Sequence, residues 1–137
     1  MLGAPRTMQS NPQYGDVVSE VTGFLAERIE AAHNAGIDAG NIIVDPGIGF
    51  GKTLEHNLAL LANIGGLSEL DAPILVGASR KRFIGALGGA EQPEDRIGGT
   101  IAACLAGRNG GATIFRVHDV APTVEALKVY DAIRSAK

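Results

Sequence analysis

The sequence predicts an α/β fold in which parallel βα units form about half of a TIM-type (β/α)8 barrel. Three observations carry this reading. First, short apolar runs at Ile42-Ile43-Val44, Pro73-Ile74-Leu75-Val76 and Ala112-Thr113-Ile114-Phe115 alternate with segments whose apolar residues recur at helical spacing. Second, each run ends in charge: Asp45 after the first, Ser79-Arg80-Lys81 after the second, and Arg116-Val117-His118-Asp119 after the third. Third, the chain has 137 residues, whereas a complete barrel of this kind takes about 250. Three bare parallel strands leave open edges that proteins normally cover, so the expectation is a partial barrel, or one completed by association.

Residues 1–15 read as irregular, broken by Pro5, Pro12 and Gly15. A helix is expected from Asp16, its N-cap, to Asn34, with Val17, Val18, Val21, Phe24, Leu25, Ile29 and Ala32 facing inward and Gly36 stopping it. The β-branched run at Ile42 reads as a parallel strand buried on both faces. A helix from 54 to about 64 follows, using Leu54, Leu58, Leu61 and Ile64, then Gly65-Gly66 and a short polar link. Beyond the Ile74 strand, residues 81–91 read as a mobile glycine-rich loop. A helix over 93–108 comes next, locally weakened by Gly98-Gly99. After the Thr113 strand, a last helix over 122–135 opens with Pro122 in its first turn. Val124, Leu127, Tyr130 and Ile133 are expected to face inward from it.

Composition excludes several classes. With 45 % hydrophobic and 20 % charged residues the chain reads as a globular domain rather than a disordered one. A net charge of −3 gives no footprint for nucleic acid. No apolar run reaches the roughly 20 residues of a membrane span. The lone Cys104 rules out an internal disulfide; it suits a reducing cytoplasm and reads as a small buried residue. Aromatic residues are 4 % and Trp is absent, so aliphatic packing must carry the core.

The strand ends carry the chemistry. Gly51-Lys52-Thr53 resembles the end of a nucleotide-binding P-loop, but the spacing places the first required glycine at Pro46, which has no N–H to offer a phosphate. Asp45 has two readings: an acceptor for paired donors such as the N–H and NH₂ of an aminopyrimidinone, or a cap on the turn that follows it. Ser79, Arg80 and Lys81 supply a hydroxyl and two cations past one strand. Arg116 and His118 add two donors past the next, on one side of the chain because Val117 separates them. Cations at several strand ends suit an anionic substrate with phosphate-type oxygens. His33 and His56 read as structural or exposed, and no set of residues has metal-ligand spacing.

At these residues the sequence resembles the dihydropteroate synthase family of pterin-binding barrels. The motifs are Asp45-Pro46-Gly47-Ile48-Gly49-Phe50-Gly51-Lys52-Thr53 with His56-Asn57-Leu58, Val76-Gly77-Ala78-Ser79-Arg80-Lys81 with Phe83-Ile84-Gly85, and Arg116-Val117-His118-Asp119-Val120. Residues 1–9 resemble the family's segment after its fifth strand. The resemblance implies the C-terminal half of the family's barrel over residues 1–137, without its first four strands. It also implies the joining of p-aminobenzoate to 6-hydroxymethyl-7,8-dihydropterin pyrophosphate with release of pyrophosphate, a reaction with which sulfonamides compete. By the same resemblance Asp45 holds the pterin's pyrimidine edge, and Lys81 reaches the pterin and the aminobenzoate. Phe50 and Ser79 line the aminobenzoate pocket with Arg80 beside them, and Arg116 and His118 bind pyrophosphate. Lys81, Arg116 and His118 are thus the expected catalytic residues. The resemblance further implies Mg²⁺, whose protein ligand lies outside this stretch, and a homodimer built on segments 54–64, 93–108 and 122–135. Two alternatives stand beside it: a methyltetrahydrofolate-dependent methyltransferase of the same superfamily, and a catalytically inactive half-barrel that only dimerises.

Overall fold

A computed structural model describes Met8 and residues 12–136, so the readings of residues 1–11 lie, Met8 apart, outside the described residues. Helix α1 spans Val17–Asn34. Asp16 caps it, its carboxylate accepting from Val18 N–H at 3.0 Å and Ser19 N–H at 3.3 Å. Val17 and Val21 are buried, whereas Phe24 is 46 % exposed, against expectation. The buried arc takes in Thr22 instead, and Phe24 lies under the Arg28 guanidinium.

Helix α2 is Leu54–Ala62. Thr53 and His56 form a reciprocal capping box, which gives His56 its structural role. Leu58 is exposed while Leu60 is buried. The run 58–61 is apolar on more than one face, so periodicity alone cannot choose the buried one. A 3₁₀ helix over Ile64–Leu70 replaces the expected polar link, with Ile64 and Leu67 in the core. The loop expected at 81–91 is largely helix α3, Arg82–Gly88, closed by Gly89 in the left-handed conformation. Burial of Phe83 and Ile84 outweighs its glycines. A 3₁₀ turn, Pro93–Arg96, leads into α4, Ile97–Asn109, which passes through Gly98-Gly99 unbroken. Cys104 is buried there, and burial pushes its thiol up to about 11. Helix α5 is Val120–Ser135. Val124 and Ile133 are exposed rather than inward, and Thr123 is its buried residue. Polar pairs fix α5 to α4: Arg108 with Asp131 at 2.9 and 3.1 Å, and Tyr130 with Asn109 at 3.1 Å.

Two strands are regular, β1 (Leu75–Val76) and β2 (Ile114–Phe115), and they run parallel with Leu75 opposite Ile114. Val44 joins the other edge of β1 by a parallel bridge to Ile74, so the sheet order is the Val44 segment, β1, β2. The expectation of a first strand buried on both faces is overturned. Val44 is 2 % exposed and its neighbour Ile43 53 %. Val44, Ile74 and Val76 pack into the core under the helices, while Ile43 lies on the opposite, inner face, which is open. The core is almost wholly aliphatic, with Phe83 its one buried aromatic residue among those described. No described helix is long and apolar enough to cross a membrane.

Candidate functional site

The carboxyl ends of the three parallel segments converge on the open inner face. Past Val44 the chain turns sharply through Gly47, Gly49 and Gly51, all at positive φ. Three contacts hold that turn. Gly47 N–H donates to Asp45 Oδ1 at 2.8 Å, Lys52 Nζ donates to the carbonyls of Gly47 and Phe50 at 3.1 and 3.3 Å, and Gly49 N–H donates to Asn57 Oδ1 at 2.6 Å. Ile48 plugs the core beneath, fully buried. Burial pulls the Lys52 ammonium below the ordinary lysine range. Asn57 and Lys52 were not among the residues the sequence singled out for the site. Asn57 sits three residues after Leu54 and four before Leu61; a polar residue on an apolar helix face is the signal that could have found it.

Asp45 does cap the turn, and its carboxylate also takes a second, long-range partner. One oxygen caps the turn; the other accepts from Arg116 Nη2 at 3.1 Å. Arg116 reaches it by crossing Gly77, where a Cβ would stand 2.8 Å from Arg116 Nη2. The clash would fall on the end of a flexible side chain, so Gly77→Ala should displace the guanidinium without unfolding the sheet. The expected result is a thermal midpoint within about 3 °C of the wild type and anion affinity reduced about fivefold, measured by calorimetric titration with pyrophosphate.

Lys81 lies across the glycine turn. Its ammonium donates to Ile48 O and sits 4.1 Å from the centre of the Phe50 ring, while its stem covers Gly49. Burial lowers its pKa to about 8; Asp45 opposes the shift, and Arg116 and Lys52 add to it. Ser79, buried at the end of β1, contacts His118 past β2: its Oγ is 2.9 Å from Nδ1 and accepts the His118 backbone N–H at 3.1 Å. Between Ser79 and Lys81 the backbone of Arg80 takes φ +58, a conformation costly for a residue with a side chain. Neighbours hold it: Arg80 N–H donates to Thr100 Oγ1 at 3.0 Å, and Arg96 Nη1 donates to Arg80 O at 3.0 Å. The Arg80 guanidinium pairs with both oxygens of Asp119 at 3.0 and 2.7 Å, and this pairing holds the Asp119 carboxyl below its ordinary range.

The structure therefore brings Asp45, Phe50, Lys81 and Arg116 into one group, sets Ser79 against His118, and ties the Arg80 head to Asp119. Beside Lys81 opens a cavity of about 740 Å³ bordered by Lys52, Arg80, Lys81, Arg82 and Arg96. Asp45 faces a smaller pocket of about 140 Å³ with Tyr14, and Lys52 borders both. Five cations around one cavity suit an anionic ligand, and Asp45 suits a heterocycle with paired donors.

The model of the pterin binding enzyme family matches residues 1–118. Dihydropteroate synthase of Escherichia coli is 44 % identical over 137 residues, covering 100 % of this chain and 48 % of that protein. The chain thus spans about half the length of the curated relatives it matches. Crystalline dihydropteroate synthase from Stenotrophomonas maltophilia, with imidazole in its active site, superposes with a TM-score of 0.96 at 47 % identity, covering 100 % of this chain and 52 % of that one. The Xanthomonas albilineans synthase, in complex with 7,8-dihydropteroate, gives 0.88 at 53 % identity over 90 % of this chain and 47 % of that one. The family match runs through all three charged strand ends and over most of the chain, and this protein belongs to the pterin binding enzyme family.

Proposed function

We propose that this chain carries the C-terminal part of a dihydropteroate synthase site, where p-aminobenzoate displaces pyrophosphate from 6-hydroxymethyl-7,8-dihydropterin pyrophosphate. The observation that carries the reading is the group formed by Asp45, Lys81 and Arg116, in which one carboxylate faces two cations. The Asp45 carboxylate accepts the pterin's N–H and NH₂. The incoming ring takes over the donor position now held by the Arg116 guanidinium, whose side chain is 62 % exposed and able to swing away. Arg116 then neutralises charge on the departing pyrophosphate, and His118 donates a hydrogen bond to it. The bond to oxygen breaks with its electron pair leaving on pyrophosphate; the aniline nitrogen adds to the resulting cation and gives up one proton, which the released pyrophosphate or solvent takes. Such a path needs charge placement more than a strong base. The aminobenzoate carboxylate points into the cationic cavity beside Lys81, with the Phe50 ring against its face, and sulfonamides compete there.

Among the described residues no three His, Cys, Asp or Glu gather to hold a metal, and Asp45 is engaged by Arg116 and Gly47, so these residues do not fit a magnesium site by themselves. The reaction belongs to the cytoplasm, in keeping with the buried free thiol of Cys104. Self-association through the apolar groove between α2, α3 and α4, rimmed by the exposed Leu58 and Leu87, is part of the proposal. A monodisperse folded monomer in sedimentation would remove it.

The test is a calorimetric titration with dihydropterin pyrophosphate beside the same pterin without its pyrophosphate. Removal of the pyrophosphate should weaken binding about tenfold or more, as the loss of charge-assisted contacts predicts. Equal affinity for both would favour a methyl-transferring relative, which has no pyrophosphate to neutralise. A folded chain that binds neither would assign the activity to a longer protein.

A further inference from the structure

We propose that Ser79 is a positioning residue for His118: its hydroxyl fixes the imidazole in the Nε2–H tautomer and holds that N–H outward as a hydrogen-bond donor. The argument is a count of protons. Ser79 Oγ accepts the backbone N–H of His118 at 3.1 Å and lies 2.9 Å from Nδ1 of the same residue. A serine hydroxyl has one proton to give. Among the described residues Nδ1 is the one acceptor within reach of it, and Ser79 is only 7 % exposed, so a proton aimed elsewhere would lack a partner. Hence Oγ–H donates to Nδ1, and the ring proton resides on Nε2. The opposite tautomer would set Nδ1–H against an oxygen that already accepts one N–H, leaving the hydroxyl proton stranded.

Two neighbouring features support this role. A carboxylate often sets a histidine's tautomer, and Asp119 is the next residue. Its two oxygens, however, are taken by the Arg80 guanidinium at 3.0 and 2.7 Å, which leaves the task to Ser79. The hydroxyl is also held in place. Ser79 precedes the left-handed Arg80, whose N–H and C=O are anchored by the fully buried Thr100 and by Arg96. A donor held this rigidly is already oriented when the anion arrives, which spares the cost of ordering it. The identity of that anion, a pyrophosphate, rests on the function proposed above; the tautomer does not.

The experiment reads the two separately. Long-range ¹H–¹⁵N correlation spectra of the labelled chain should place His118 Nδ1 in the unprotonated range and Nε2 in the protonated one. Ser79→Ala should move Nδ1 toward the protonated range, and Ser79→Thr should restore it. Ser79→Cys, close in shape and a weak donor, should give an intermediate shift and serves if the alanine variant fails to fold. Unchanged nitrogen shifts in folded Ala or Cys variants would overturn the proposal. Inorganic pyrophosphate, titrated into the same samples, should bind about fivefold more weakly to Ser79→Ala than to wild type or Ser79→Thr. Shifts that move as expected in a chain that binds no pyrophosphate would uphold the role of Ser79 and count against the functional reading alone.

Discussion

Asp45→Asn should reduce affinity for dihydropterin pyrophosphate about 100-fold, with little change in stability. The amide retains an oxygen that can accept Gly47 N–H, a bond now 2.8 Å long, so the turn and the Ile48 plug survive. The second position changes more. A carboxylate oxygen accepting from Arg116 at 3.1 Å becomes an NH₂ group that donates. It would then meet the pterin's own donors head-on, and one uncompensated donor contact in addition to a lost charge-assisted bond costs about 3 kcal/mol. The internal control is inorganic pyrophosphate alone. Arg116, released from its partner, should bind it as tightly as in the wild type or more so. Equal pterin affinity in mutant and wild type would mean that Asp45 serves the turn and nothing else.

The second large effect concerns Lys81. Burial sets its pKa at about 8, against 10.5 in an unfolded chain. Between those values the unfolded chain binds the proton and the folded one does not, so the contribution of this residue makes stability rise with pH across that window. Its burial therefore counts against the fold most fully below about pH 8, where the ammonium must stay charged under Phe50 and the glycine turn. For binding the sign is reversed. Affinity for an anionic ring should fall about tenfold from neutral pH to about pH 10 as the ammonium loses its proton. In Lys81→Met the profile should be flat through the midpoint near 8 and weak throughout. Amine-selective labelling followed by mass spectrometry checks the same titration directly: Lys81 should react with a midpoint near pH 8. A Lys81 midpoint near the ordinary 10.5 would show that its side chain leaves the turn in solution.

Local chemistry and tertiary packing divide this protein in a definite way. What the sequence determined by itself was what depends on neighbours along the chain. Asp16 caps α1 because an Asx side chain reaches the N–H groups two and three residues on, wherever the helix is placed. The βα alternation, the glycine turn after Asp45 and the charged end of each strand are likewise properties of short segments. The tertiary structure alone decided which faces are buried and which partner each charge takes. Leu58, Val124 and Ile133 had the right spacing for a core, yet point outward because the helices available to cover them lie on other sides. Residues 82–88 are helical because Phe83 and Ile84 find a core, a gain that glycine-rich local propensity does not register. Arg80 joins Asp119 while Arg116 joins Asp45, pairings that span 39 and 71 residues. Such pairings depend on how the strands are registered and on Gly77 clearing a path. Ser79 and His118 looked like separate donors past separate strands, and only parallel pairing of β1 with β2 made them one hydrogen-bonded unit.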